Sequence, residues 1–135
     1  RGAEFDWHDP KDLSKYKIGG IKSYSHLDIF KKNGLEFLEA ASAEEQFDNL
    51  LAGKIDGFPE NLYVGYYTLK NKYSRLERQN FEANPMSLQE SHMFVLVSKS
   101  APKAKELVAA LDQGIRILKS TGKYEEILAF YLSNQ

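Results

Sequence analysis

The stretch Ser42 to Tyr67, SAEEQFDNLLAGKIDGFPENLYVGYY, constrains the fold more than any other part of the chain. Ser42 and Glu45 have the S-x-x-E spacing of a capping box, in which each side chain satisfies a free backbone donor at a helix start. Ala43, Phe47, Leu50 and Leu51 then recur at i, i+4, i+7 and i+8, which makes one apolar helical face. Gly53 stands where that helix must stop, because glycine takes the left-handed cap without a Cβ clash. Ile55-Asp56-Gly57-Phe58 reads as a short strand ended by Pro59, and Leu62 to Tyr73 reads as a second helix. Helix, buried strand and helix joined by tight turns put Glu60 and Asn61 just beyond the strand. Ligands bind at that carboxyl edge in open α/β sheets.

The flanking segments extend the pattern. Tyr16 to Ile21 is a short strand whose Gly19 and Gly20 mark a close approach of another backbone or a ligand. Lys22 to Ser25 is a turn, and Ser25 caps a helix from about His26 to Asn33, buried through Leu27, Phe30 and Ile29. Asn33-Gly34 ends it, and Leu35 to Ala40 alternates as a strand. The order β-α-β-α-β with short connections implies parallel strands and right-handed crossovers. Leu76 to Ala83 reads as an edge strand. The unbroken apolar run His92 to Val97 suits a strand covered on both faces. Ser100-Ala101-Pro102 opens a long helix with Leu107, Leu111, Ile115 and Leu118 on one face, ending at Thr121-Gly122. A last helix, Tyr124 to Leu132, carries Tyr124, Ile127, Leu128 and Tyr131.

Bulk properties exclude several functions. A chain of 135 residues holds one domain with a real core. Its net charge of −1 gives no reason to expect nucleic acid or an anionic membrane surface as partner. No apolar run reaches the length of about 18 residues needed to span a bilayer. The absence of cysteine rules out disulfides, thiol catalysis and thiolate metal sites. Arg1 to Phe5 has no periodicity and resembles a cloning scar, so residues 1–11 read as scar and lead-in, and the chain as a piece of something longer.

For chemistry, the strand-turn-helix at Lys17 to Asn33 offers backbone N–H groups, the hydroxyls of Ser23 and Ser25, and the charge of Lys22, an arrangement suited to an anion. The plainer reading leaves Ser25 as an N-cap only. The spacing is not that of a P-loop. Asp56 lacks the acidic pair that a phosphoacceptor site needs and reads as a structural turn residue. His8, His26 and His92 lack metal-ligand spacing, and no catalytic set, metal site or cofactor is expected.

Three segments, DLSKYKIGGIKSYSH, AEEQFDNLLAGKIDGF and APKAKELVAALDQGIRILKSTGKYEEI, resemble the bacterial extracellular solute-binding proteins of family 3. The resemblance covers about Asp12 to Leu132. It implies one lobe of a type 2 periplasmic binding protein: a three-layer α/β unit at 12–98 with a mostly parallel sheet and one antiparallel crossing strand. C-terminal helices at 99–135 would return toward an absent first lobe. The implied function is a periplasmic, non-enzymatic receptor of an ABC importer, closing on a small amino-acid-like solute and docking on the permease. Ser23, Tyr24 and Ser25 match the family's ligand turn, and Lys22 precedes it, where some members use a lysine to touch the ligand. Asn61, beside Glu60, stands where the family has the aspartate that holds an α-amino group. The alternatives implied are a sensor domain of a membrane-bound histidine kinase and a dehydratase-like enzyme on the same fold. The apolar helices after residue 99 are expected to fold back or to pair with a second copy of the chain.

Overall fold

The sequence GG inside an apolar strand is explained by what lies on each face of it. In the computed structural model, which describes residues 5–90 and 93–133 (the last three by backbone alone), strand β1 is Ile18–Ile21 and is buried throughout. A Cβ on Gly19 would come within 2.6 Å of the Gln46 carboxamide, and one on Gly20 within 2.4 Å of Leu27. Side chains alternate across a strand. The two glycines therefore let a helix approach from each side.

Helix α1, His26–Lys32, follows β1 and turns at Asn33 into strand β2, Phe37–Ala40. β1 and β2 pair in parallel, with Ile18 opposite Phe37 and Ile21 opposite Ala40. Helix α2, Ala43–Leu51, begins on Ser42, whose Oγ accepts from the Glu45 amide at 3.2 Å. The Glu45 carboxylate reaches back to Ala41 rather than Ser42, at 2.8 Å, so the box closes one residue early. Gly53, at φ +66°, ends the helix as the sequence requires. Its buried face is Gln46, Phe47 and Asn49, rotated from the apolar stripe; Leu51 is exposed.

Trp7, Leu13, Ile18, Leu27, Phe30 and Leu35 form the central apolar cluster, and Phe5, Tyr16, Phe37 and Leu88 pack against it. Phe5 and Trp7, set aside with the lead-in on sequence grounds, are thus packed; Arg1–Glu4 lie outside the described residues. A 3-10 helix, Pro10–Lys15, enters this cluster on a capping box between Asp9 and Asp12. Helix α3, Leu62–Lys72, is capped by Asn61, and helix α4, Arg75–Arg78, by Ser74 and Glu77. Phe47 meets Phe58, Tyr73 and Phe81 edge-on at centroid distances of 4.9–5.8 Å.

Several expectations are corrected here. The sheet has two strands, both parallel, and among the described residues no antiparallel strand crosses it. It is not the sheet of a three-layer solute-binding lobe. The 55–58 segment makes only an isolated bridge, Ile18 with Gly57, because Pro59 ends it before a ladder can form. The 76–83 segment is not an edge strand. Ser74-x-x-Glu77 is a second capping box, and it starts a helix there. Residues 93–97 belong to no strand, and His92 lies outside the described residues.

The chain divides into two units, Arg1–Glu90 and Ser91–Gln135. The second is a helical hairpin of α5, Ala104–Ser120, and α6, Lys123–Ser133, turned at Gly122 with φ +71°. Pro102 precedes α5 rather than lying in its first turn. Lys103, at φ +59°, stands at the N-cap without a side-chain bond. Among the described residues no helix is long and apolar enough to cross a membrane.

Candidate functional site

Strand β1 runs into a turn because its last amide is captured by a side chain instead of a ladder. The Ile21 N–H donates to Nε2 of His26 at 3.0 Å, and the Lys22 amide returns to Ala40 O at 2.9 Å. The chain then reverses through Ser23 at φ +67°, a left-handed conformation that a non-glycine residue adopts only under local constraint. Lys22, Ser23, Tyr24 and Ser25 line one open recess of about 530 Å³ with Leu27, Asp28, Lys31 and Glu39. The structure therefore brings these four sequence-selected residues together.

The recess is not the anion cradle that the sequence suggested. The amides of Tyr24, Leu27 and Asp28 donate to Ile21, Tyr24 and Ser25 carbonyls, which removes much of the expected donor set. Ser25 has helical dihedrals and makes no capping bond; its hydroxyl reaches Gln89 Oε1 at 3.4 Å. Two lysines and two carboxylates line the walls, so the field has no single sign.

Glu60 and Asn61 do not line that recess. Asn61 is occupied as a cap: its Oδ1 accepts from Tyr63 at 3.0 Å and Val64 at 3.3 Å. Glu60 Oε1 accepts from the Asn61 amide at 2.6 Å, while Oε2 is buried with no hydrogen-bond partner. Burial raises the Glu60 pKa above the usual carboxylate range, and the Asn61 amide only partly opposes it. Between its ordinary and its raised pKa, the native state holds a proton that the unfolded chain has released. Stability therefore falls as pH rises through that window. Glu60→Gln should raise stability at pH 7 by about 1 kcal/mol. The gain should vanish below pH ~4. Urea titrations at the two pH values measure it, and an equal gain at both would place its cause outside ionisation.

Two residues with larger roles were not selected from the sequence. His26 is 7% exposed, lies between the rings of Tyr24 and Phe30, and is held neutral because burial depresses its pKa. The available signal was its place beside Leu27 on the buried face of α1. Gln46 is fully buried and donates through Nε2 to Gly20 O and Leu38 O, both at 2.7 Å, tying β1 to β2. Asp56 has the structural role expected of it, accepting from the Lys17 amide at 2.8 Å. Tyr73 donates to Asp48 at 2.8 Å, and burial with that neighbouring carboxylate holds its phenol protonated. Among the described residues no three His, Asp or Glu side chains are grouped to hold a metal.

The three segments that resemble solute-binding proteins are each accounted for locally: strand, turn and helix; capped helix and turn; helical hairpin. Such caps and turns recur on unrelated folds. The two-stranded sheet does not supply the lobe that the resemblance requires. Comparison with protein-family models, with curated proteins and with solved structures finds no match for the chain. The reading as a solute-binding component of an ABC importer is therefore withdrawn, together with the sensor and dehydratase alternatives built on the same fold.

Proposed function

We propose that the chain is an association module that pairs with a second copy of itself through the α5–α6 hairpin. The observation that carries this reading is that α5 is strongly amphipathic yet has no buried residue. Ala104, Leu111 and Leu118, spaced a heptad apart, are half-buried, as is Leu128 of α6. Leu107 and Val108 flank that seam and stay 47% and 43% exposed, with Ile115 and Ile127 also open.

Two antiparallel helices cannot enclose a core between them. A second hairpin laid on the same face closes a four-helix arrangement, in which each apolar stripe meets its like. The charges permit this. Lys103, Lys105, Arg116, Lys119 and Lys123 stand against Glu106, Asp112, Glu125 and Glu126, a near balance that gives two copies no reason to repel. Two of these pairs, Lys103–Glu106 at 3.8 Å and Lys123–Glu126 at 2.6 Å, are satisfied within one hairpin.

Light scattering on the full chain should show a dimer with Kd of about 1 μM or tighter, near −8 kcal/mol. Leu107→Asp with Val108→Asp should weaken it about 100-fold or more, because both charges would enter a dry interface. Circular dichroism should be little changed, since neither side chain is buried in the single chain. A wild-type chain that stays monomeric well above that concentration would overturn the reading.

A further inference from the structure

The hairpin alone is small for a stable dimer. Helices of 17 and 11 residues present faces of roughly 25 and 16 Å by about 10 Å, or some ~400 Å² per copy. Specific interfaces bury about 800 Å² per partner. A second apolar surface in the same unit, directly before the hairpin, remains to be explained. Residues 93–97, MFVLV, are consecutive apolar residues, and Met93, Val95 and Leu96 are 91%, 63% and 90% exposed. Val95 and Val97 are β-branched and Phe94 is aromatic, a composition suited to a pleated strand, yet the run belongs to no strand. Continuous exposed apolar runs of this kind are a liability unless they are paired.

We propose that residues 93–97 form an antiparallel strand pair with residues 93–97 of the second copy, across the two-fold axis that relates the two hairpins. The pairing rests on the self-association reading above and adds the contact that the hairpins lack. A two-fold axis through Val95 sets each residue opposite its mirror position: Val95 on Val95, Met93 on Val97, Phe94 on Leu96. No charge lies inside the run. Lys99 stands two residues past one end and Glu90 three residues before the other. Antiparallel pairing thus brings a lysine of one copy toward a glutamate of the other at both ends of the ribbon, whereas parallel pairing would set like beside like. A two-stranded ribbon is marginal alone and needs a surface to pack on. The paired hairpins supply it.

The chain has no native cysteine, so introduced ones report without background. Directly opposed residues in an antiparallel pair have Cβ atoms about 4.5–5.5 Å apart, within reach of a disulfide after small adjustment. Under mild oxidation, Val95→Cys should cross-link to itself. Met93→Cys mixed and refolded with Val97→Cys should cross-link as the mixed pair, and neither alone. Ser98→Cys gives the level of random collision. A dimer by light scattering in which Val95→Cys cross-links no faster than Ser98→Cys would overturn the strand pairing and leave the hairpin reading standing. Met93→Cys cross-linking to itself would show parallel strands and overturn it equally. A monomeric wild-type chain would instead remove the hairpin reading on which the pairing rests.

Discussion

Replacing Gln46 by leucine should cost the fold about 2–4 kcal/mol, read as a lower urea midpoint at unchanged m value. The side chain is fully buried and has its Nε2 shared between Gly20 O and Leu38 O, with Asn49 donating to its Oε1 at 3.3 Å. Leucine fills a similar volume but offers no donor. Two carbonyls at the junction of β1 and β2 and the Asn49 amide would then lose their partner in a dry place. The carboxamide also explains Gly19, where a methyl group would come within 2.6 Å of Oε1. Gly19→Ala should therefore be destabilising in the wild-type chain and less so beside Gln46→Ala, a coupling that a double-mutant cycle isolates. A Gln46→Leu change within about 0.5 kcal/mol, the range of ordinary surface substitutions, would show that the clip is not a support of the sheet.

The same residue shows where the sequence could be read and where it could not. Ser42, Gly53 and the periodicity between them place α2 correctly, because caps and helical period are local properties of the backbone. They do not say which face is buried. The apolar positions point to Ala43, Phe47, Leu50 and Leu51, of which Phe47 is buried, whereas Gln46 is inside because the Gly20 and Leu38 carbonyls need a donor, and Asn49 because it donates to Gln46. Nothing near residue 46 encodes that need. The candidate site divides in the same way. Lys22 to Ser25 do share a recess, as the strand-turn-helix pattern implies. The hydrogen bonds that use up its amides, and the His26 bond that shapes it, depend on tertiary packing. Two of the errors in the sheet, at 55–58 and 93–97, have one source. The segment Ile55-Asp56-Gly57-Phe58 and the apolar run 93–97 read as strands from the sequence, but a strand exists only where a neighbour pairs with it. Among the described residues, 93–97 belong to no strand.

Acidification from pH 7 to 5 should weaken the fold through His26, with a slope of at most about 1.4 kcal/mol per pH unit for the one proton involved. The imidazole accepts the Ile21 N–H through Nε2, so it must carry its proton on Nδ1 and be neutral. Protonation would turn that acceptor into a donor facing a donor, at a position 7% exposed and walled by Tyr24 and Phe30. Burial depresses the pKa below 6.5. The unfolded chain takes up a proton near pH 6.5 while the native state refuses it. The full stability is therefore present above that value and is lost as pH falls toward the native pKa. Glu60 acts with the opposite sign over the neighbouring window, its pKa being raised, so Glu60→Gln is the proper background for the measurement. In that background His26→Gln, which keeps an acceptor for Ile21 but cannot titrate there, should flatten the profile between pH 5 and 7. His26→Leu should lower stability at every pH by leaving the amide without a partner, at a cost of about 1–3 kcal/mol. A wild-type profile already flat over that range, or one that His26→Gln leaves unchanged, would mean that the turn after β1 is not held by this imidazole.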